Sequence, residues 1–339
     1  MYQKLLLLDT ARKHFTVLQI KTYIDAVSVA GFTHLQLYFS DNQGFRLALD
    51  DMVITTSTGI SYDLRPCLGR GYAQPDKKMY PHATDEFWSE ADMDEIICYA
   101  KEKKIEIIPC INVPGHMGQV LEHFPQFRYT DECGRTSKSS IDLRNSEAVA
   151  FASAFVEKYV KYFKDRGCRY FNLGADEYAN DVEGMGFEGL IRDGLYGEYV
   201  AFLNQAAQMV LDAGMTPRIF NDGAYYGDVE DFPLNPEIEV YYWECYDRVA
   251  PVSTCIRNGH KVINTNKDLY YVVAVDPWIC VTEEVAKHFD KDVFACKTSV
   301  PDSIGTMMCI WCDDGRDETM TTDEIMKATL PVIEALKDL

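Results

Sequence analysis

Long apolar runs are missing from this 339-residue chain, and basic residues are few relative to acidic ones. The first apolar run, residues 5–8, ends at Asp9 and is too short for a secretory leader or a membrane span. Lysine and arginine together number 33 against 53 aspartates and glutamates, which gives a formal net charge of −20. This balance argues against nucleic acid or an anionic membrane as a partner. No low-complexity or Pro/Ser-rich stretch divides the chain, so we expect a single domain over residues 1–339.

Cysteines in the closely paired blocks of zinc sites are also lacking. The eleven cysteines are scattered, apart from one Cys-x-x-Cys at Cys309 and Cys312 that has no second pair to complete a metal site. We interpret them as unpaired thiols and expect neither a metal nor a cofactor. Lone cysteines without a leader indicate a reducing compartment, so the expected location is cytoplasmic, unless the chain was cut from a larger secreted protein.

Strand-type and helix-type patterns alternate along the whole chain. Capping boxes predict helices that begin after Thr16, Ser89 and Thr321. Eight apolar runs predict strands at residues 5–8, 33–39, 105–111, 169–177, 217–220, 238–243, 261–265 and 304–311. Eight strands, most of them followed by a helix, predict an α/β fold, a (β/α)8 TIM barrel. A doubly wound open sheet is the alternative, but no Gly-x-Gly-x-x-Gly loop follows the first strand to support nucleotide binding.

The connection over residues 40–88 is much longer than the others. It contains turn residues and aromatic residues but little periodicity. Long βα loops in a barrel usually carry function, so we predict that this segment walls the active site beside the second strand.

Polar and aromatic side chains follow the predicted strands where each strand ends. Asp176 and Glu177 close the fourth strand, where two carboxyl groups repel each other and lose hydration, so at least one pKa should rise toward neutrality. A helix N-terminal pair that only complements the helix dipole is the simpler alternative. The other strand ends carry Arg12, Asp41, His116, Asp222, Trp243, Glu244, Tyr270, Trp311 and Asp313. Carboxylates, one arginine and large rings in one pocket suit an uncharged polyhydroxylated ligand, and carbohydrate is the expected class.

Six segments, in order along the chain, resemble the motifs of glycoside hydrolase family 20, the β-N-acetylhexosaminidases. They are residues 8–12 (LDTAR), 40–46 (SDNQGFR), 114–116 (PGH), 173–177 (LGADE), 241–243 (YYW) and 310–313 (IWCD). The chain departs from the family pattern where Phe45 and either Phe220 or Asn221 replace tryptophans. It also departs where Val272 and Asp313 stand in place of an acidic residue and a glutamate. Most relatives carry a small α/β domain before the barrel; here the first strand starts at residue 5, so we expect no separate N-terminal domain.

The resemblance implies a retaining, exo-acting β-N-acetylhexosaminidase that removes terminal N-acetylglucosamine, N-acetylgalactosamine or both from glycans. Hydrolysis would be substrate-assisted, through an oxazolinium intermediate. Glu177 would be the general acid and then the general base, and Asp176 would orient the acetamido group and balance its charge. The substrate-binding residues that the resemblance implies are Arg12, Trp243, Tyr270, Trp311, Asp313 and Asp222, with Asp41 and His116 supporting the carboxylates from behind. Tyr271 is the alternative to Tyr270 if the register differs by one residue.

Two other functions fit the same predicted barrel. A metal-dependent hydrolase would need a histidine cluster after the first strand, where this chain has only His14. A sugar-binding barrel without turnover is the second alternative. The expected partner is an oligosaccharide or glycoconjugate with a terminal N-acetylhexosamine. The choice between the two sugars, the linkage and the oligomeric state stay open.

Overall fold

The computed structural model describes residues 2–69, 86–182, 186–246, 248–273, 280–313 and 320–339. Within these ranges, eight parallel strands form a closed barrel: β1 Gln3–Asp9, β2 His34–Asp41, β3 Glu106–Val113, β4 Tyr170–Gly174, β5 Thr216–Phe220, β6 Glu239–Tyr242, β7 Val262–Asn264 and β8 Gly305–Trp311. Each strand pairs with the next one along the chain, and β1 pairs with both β2 and β8. That last pairing closes the sheet, so the (β/α)8 prediction is confirmed and the open-sheet alternative is wrong.

Helices surround the barrel. In the described part of the chain they are α1 Val17–Val29, α2 Glu90–Glu102, α3 Gly118–Leu121, α4 Ser146–Asp165, α5 Gly186–Arg192, α6 Tyr196–Asp212, α7 Val252–Arg257, α8 Glu283–His288 and α9 Thr322–Ala335. The predicted capping boxes start three of them. At α1, for example, the Thr16 side chain accepts from the Gln19 backbone N–H, and the Gln19 side chain accepts from that of Thr16. Equivalent boxes at Ser89 and Thr321 start α2 and α9.

The four leucines of β1 show how the barrel is stabilised. Leu5 and Leu7 pack inside the barrel with residues from the other strands, whereas Leu6 and Leu8 pack outward against the helices. All four are fully buried, as expected for a parallel strand covered on both faces. Burying each such side chain contributes roughly 1.5–3 kcal/mol. In the described ranges, no helix has the length and apolar character needed to cross a bilayer.

The long segment after β2 packs mainly against the outside of the barrel, as far as the structure describes it. Its hairpin, Val53–Thr55 paired with Ser61–Asp63, lies beside α4, where Thr56 and Thr58 donate hydrogen bonds to Glu147. Trp88 is buried and donates its indole N–H to the backbone oxygen of Phe15. The prediction that residues 40–88 wall the active site therefore finds no support at residues 42–69 and 86–88, and residues 70–85 lie outside the described ranges.

Candidate active site

A cavity of about 440 Å³ opens at the carboxyl ends of the barrel strands. In the described part of the chain its lining consists of Arg12, Tyr38, His116, Asp176, Glu177, Phe220, Trp243, Tyr246, Lys267, Tyr270, Val272, Trp311 and Asp313. This is the end of a (β/α)8 barrel at which active sites are found. All the residues predicted to contact a ligand are in this lining except Asp222.

The turn after β4 directs two neighbouring carboxylates into this one cavity. The strand ends at Gly174, and the chain then turns through left-handed conformations at Gly174, Ala175 and Glu177, with φ of 70°, 71° and 49°. Adjacent residues of an extended strand would point to opposite faces. Because the strand ends before the pair, Asp176 and Glu177 both face the cavity, which supports the interpretation of the pair as part of a site.

Replacing Gly174 by alanine tests how strictly this turn depends on glycine. A Cβ atom here would lie 2.2 Å from the amide carbon and oxygen of Asn112, in addition to the strain of the left-handed backbone. We expect Gly174→Ala to lower the free energy of unfolding by about 2–4 kcal/mol, measured by urea denaturation. Gly31→Ala is the control, because Gly31 has φ of 74° and nothing within 4 Å of its added Cβ. Equal losses in the two variants would contradict a steric role for the contact with Asn112.

Asn112, at the end of β3, connects Asp176 to the rest of the site. Its amide nitrogen donates to Asp176 Oδ1 at 2.6 Å and to the Tyr38 hydroxyl at 3.2 Å. Its amide oxygen accepts the backbone N–H of Ala175 at 3.0 Å. Burial and the nearby charge of Glu177 raise the pKa of Asp176, although His116 opposes that rise. The predicted rise of at least one carboxyl pKa is thus confirmed, and it falls on Asp176.

His116 links Asp41 to the carboxylate pair. Its Nδ1 donates to Asp41 Oδ1 at 2.8 Å, and its Nε2 donates to Glu177 Oε2 at 3.1 Å. Burial alone would lower the pKa of His116, but Asp176, Asp41 and Glu177 together raise it well above its usual range. Burial likewise raises the pKa of Glu177, but the hydrogen bond and charge of His116, together with the charge of Arg12, outweigh burial and the net shift is downward. These opposite shifts favour protonated His116 beside ionised Glu177.

Arg12, which follows β1, is held by three carboxylates. Its guanidinium lies 2.7 Å from Asp9, 3.2 Å from Asp41 and 2.9 Å from Asp313. Burial disfavours the charge of Arg12, but these three neighbours raise its pKa well above the usual value. Burial raises the pKa of Asp313 to about 6, and Arg12 limits that rise. Arg12 and Asp313 are thus fixed side by side where they can bind hydroxyl groups.

Aromatic side chains form the remaining walls. Trp311 stands edge-on to Tyr38, with ring centroids 5.2 Å apart, and lies 6.3 Å from Tyr270. Trp243 completes the wall, and its indole N–H donates to Asp222 at 3.3 Å. Tyr270 lines the cavity, whereas Tyr271 packs into the outer core, which favours Tyr270 of the two predicted alternatives.

Asp222 lies behind the cavity wall instead of in it. It is almost fully buried, and Oδ2 accepts the backbone N–H of Glu177 at 2.7 Å while Oδ1 binds the Trp243 indole. Burial raises the pKa of Asp222 well above its usual range, with further contributions from Asp176 and Glu244. Asp222 is thus placed to position Glu177 and Trp243, and its direct contact with substrate stays a prediction.

Several site residues were missed in the sequence. Tyr246 and Lys267 line the cavity from irregular segments, and no motif marks them. Asn112 and Asp9 had a detectable signal, because each is a polar residue at the carboxyl end of an otherwise apolar strand.

The structure also tests the prediction that the cysteines are unpaired thiols. Cys309 and Cys312 are buried free thiols, but Cys245 is disulfide-bonded, so the interpretation of all eleven cysteines as unpaired is wrong at Cys245. The disulfide also weakens the argument for a reducing compartment.

Among the described residues, the one group that could hold a metal ion is His116, Asp176 and Glu177, whose candidate ligand atoms lie within 4.8 Å of one another. These side chains are engaged in the hydrogen bonds described above.

Similarity to known proteins agrees with this geometry. The family model for the catalytic domain of glycosyl hydrolase family 20 matches residues 4–325. A module of the pneumococcal exo-β-D-N-acetylglucosaminidase StrH is 30% identical, with a TM-score of 0.86 over 99% of this chain and 83% of that one. Dispersin B, at 22% identity and a TM-score of 0.74 over 100% of this chain and 99% of that one, shares the fold.

Curated relatives are larger proteins. The lacto-N-biosidase of Bifidobacterium bifidum is 27% identical over 201 residues, which are 56% of this chain and 17% of that protein. The β-N-acetylhexosaminidase of Cellulomonas fimi is 23% identical over 344 residues, 98% of this chain and 62% of that protein. The chain thus spans less than two thirds of each of these relatives. The family match over nearly the whole barrel, together with the carboxylate pair in its mouth, shows that this chain belongs to glycoside hydrolase family 20.

Proposed function

We propose that the chain is a retaining, exo-acting β-N-acetylhexosaminidase that removes terminal N-acetylglucosamine, N-acetylgalactosamine or both from glycans. The observation that carries this proposal is the placement of Asp176 and Glu177 on one turn, facing the same cavity as Trp243, Tyr270 and Trp311. A cavity of this kind, walled by rings and with paired charged groups on one side, suits a single sugar bound by its faces and hydroxyls.

The acetamido group of the substrate supplies the attacking atom in this mechanism. Glycosidases commonly use an enzyme carboxylate as the nucleophile, and family 20 is a known exception that uses the substrate. The acetamido oxygen attacks the anomeric carbon, the glycosidic oxygen leaves with a proton, and a cyclic oxazolinium forms. Asp176 accepts the acetamido N–H and balances the positive charge, while the Tyr270 hydroxyl donates to the acetamido oxygen. Water then opens the ring with net retention.

Glu177 provides the proton for the leaving oxygen, and His116 supplies it to Glu177. The raised pKa of His116 favours placing the proton of this 3.1 Å hydrogen bond on His116 before the reaction. A glycosidic oxygen that approaches Glu177 and acquires negative charge in the transition state draws that proton toward it. Asp41 stays hydrogen-bonded to Nδ1 and keeps the imidazole oriented while the proton at Nε2 moves.

A panel of chromogenic glycosides tests the proposal. We expect turnover of 4-nitrophenyl N-acetyl-β-D-glucosaminide or galactosaminide at rates at least about 100-fold above those of the β-glucoside and β-galactoside, since the latter lack the attacking amide. Comparable rates on both classes would exclude substrate assistance. Turnover of none of them would favour a sugar-binding barrel, and loss of activity on exhaustive chelation would favour a metal-dependent hydrolase.

A further inference from the structure

Lys267 and Tyr246 are two exposed polar residues of the cavity lining that contact each other, and they are called here the Lys267–Tyr246 rim. Lys267 begins the short turn Lys267–Leu269 after β7, and Tyr246 lies in the irregular segment after β6. The Lys267 ammonium donates to the Tyr246 hydroxyl and lies 4.9 Å from the centre of the Tyr246 ring. Both residues are exposed and both line the cavity, so the rim is accessible to a ligand.

Lys267 differs from the other cationic groups of the cavity in the number of carboxylates beside it. Arg12 lies against three carboxylates, and His116 lies between Asp41 and Glu177. Throughout the ranges that the structure describes, Lys267 makes no ion pair, and its hydrogen bond to Tyr246 uses one of three ammonium N–H groups. Among the described residues, therefore, no carboxylate pairs with the Lys267 ammonium, and two of its N–H groups are available to a ligand.

Two other residues of the cavity lining offer little to a neutral hydroxyl. Val272 contributes an apolar side chain, and Trp243 contributes a ring whose indole N–H is already bound to Asp222. A group bound at the rim therefore meets a positive charge in a cavity whose lining is partly apolar. An oxyanion gains most from that setting, because hydrogen bonds to an ionised acceptor are about twice as strong as neutral ones.

We propose that the Lys267–Tyr246 rim binds an anionic group of the substrate, so that the preferred N-acetylhexosaminides carry a sulfate ester on the terminal sugar or a carboxylate on the adjoining one. This inference rests on the proposed hexosaminidase function. The carboxylates that share the cavity do not prevent it, because Asp313 pairs with Arg12, and Asp176 and Glu177 lie beside His116. Repulsion from the distant carboxylates behind the net charge of −20 is screened beyond about 8 Å at physiological salt.

The experiment compares kcat/KM for neutral and anionic substrates in matched variants. The sulfated probes are the 4-nitrophenyl N-acetyl-β-D-glucosaminides monosulfated at O3, O4 or O6, and the carboxylate probe is N-acetylglucosamine β-linked to glucuronic acid. The unsulfated glycoside and N-acetylglucosamine β-linked to glucose are their neutral counterparts. In Lys267→Met we expect the anionic-to-neutral ratio of kcat/KM to fall about tenfold or more for at least one probe, through a rise in KM for the anionic substrate.

Two further variants separate this role from a general effect of charge. Lys267→Arg should retain most of the preference, because it keeps the cation. Lys261→Met should leave the ratio unchanged, because Lys261 precedes β7 at the opposite end of the barrel and pairs with Glu239. A loss confined to the sulfated or to the carboxylate probe identifies which anion the rim binds. If neutral substrates are turned over and Lys267→Met leaves the anionic-to-neutral ratio of kcat/KM unchanged, this inference alone is overturned. If no N-acetylhexosaminide is turned over, the proposed function is overturned as well.

Discussion

Glu177→Gln is expected to lower kcat/KM for an N-acetylhexosaminide with a poorly leaving sugar aglycone by about 10²–10⁴-fold, the contribution typical of a positioned general acid. The substitution is nearly isosteric, and the glutamine oxygen can still accept the hydrogen bond that His116 donates to Glu177. The fold and the orientation of His116 should therefore survive, while the group that passes the proton to the leaving oxygen is lost.

The leaving group provides the sharper readout for this variant. A dinitrophenolate needs little protonation to depart, so Glu177→Gln should retain much more of the parent rate on a dinitrophenyl glycoside than on a disaccharide. Glu188→Gln is the matched control, because Glu188 lies in α5, in the same connection after β4, and pairs with Arg248 outside the cavity. Equal losses on both substrates, or a parent-like rate on the disaccharide, would contradict the assignment of Glu177 as the acid.

The positions of the barrel strands could be predicted because each strand carries its own local pattern. The fourth strand shows the limit of that pattern. The run from Arg169 continues to Glu177 in the sequence, yet β4 ends at Gly174. The left-handed backbone of Ala175 and Glu177 could not be predicted, since neither residue type favours that conformation. The hydrogen bonds from Asn112 and Asp222 that hold this turn join residues far apart in the chain.

The protonation states of the site also needed the three-dimensional arrangement. The neighbouring positions of Asp176 and Glu177 in the sequence predicted repulsion and a raised pKa for at least one of them. They did not predict which of the two carboxyls would have the raised pKa. His116 lowers the pKa of both carboxyls, but its Nε2 is hydrogen-bonded to Glu177 at 3.1 Å and lies 3.6 Å from Asp176. Burial therefore prevails at Asp176, whereas the net shift at Glu177 is downward. The Lys267–Tyr246 rim had no signal at all, because its two residues lie in irregular segments after different strands.

Asp176→Asn is expected to lower kcat for N-acetylhexosaminides by about 10²–10³-fold. This is the loss in kcat that typically follows the removal of one preorganised electrostatic contact to a transition state. The asparagine can still accept a hydrogen bond from Asn112, but it cannot balance the positive charge that develops on the acetamido group. Asp181→Asn serves as the control, because Asp181 lies five residues further along and binds Ser137 and Ser139 outside the cavity lining.

The pH dependence of kcat/KM shows whether Asp176→Asn lowers activity because a negative charge is lost or because the geometry of the site changes. Burial raises the pKa of Asp176, so in the parent enzyme kcat/KM should fall on the acid side as this carboxylate becomes protonated and loses its charge. Asp176→Asn has no such group, and its low activity should change much less over the same acid range. The Asp181→Asn control should keep both the parent rate and the parent profile. If Asp176→Asn retained the acid limb of the parent at reduced activity, a group other than Asp176 would have to provide the titrating charge.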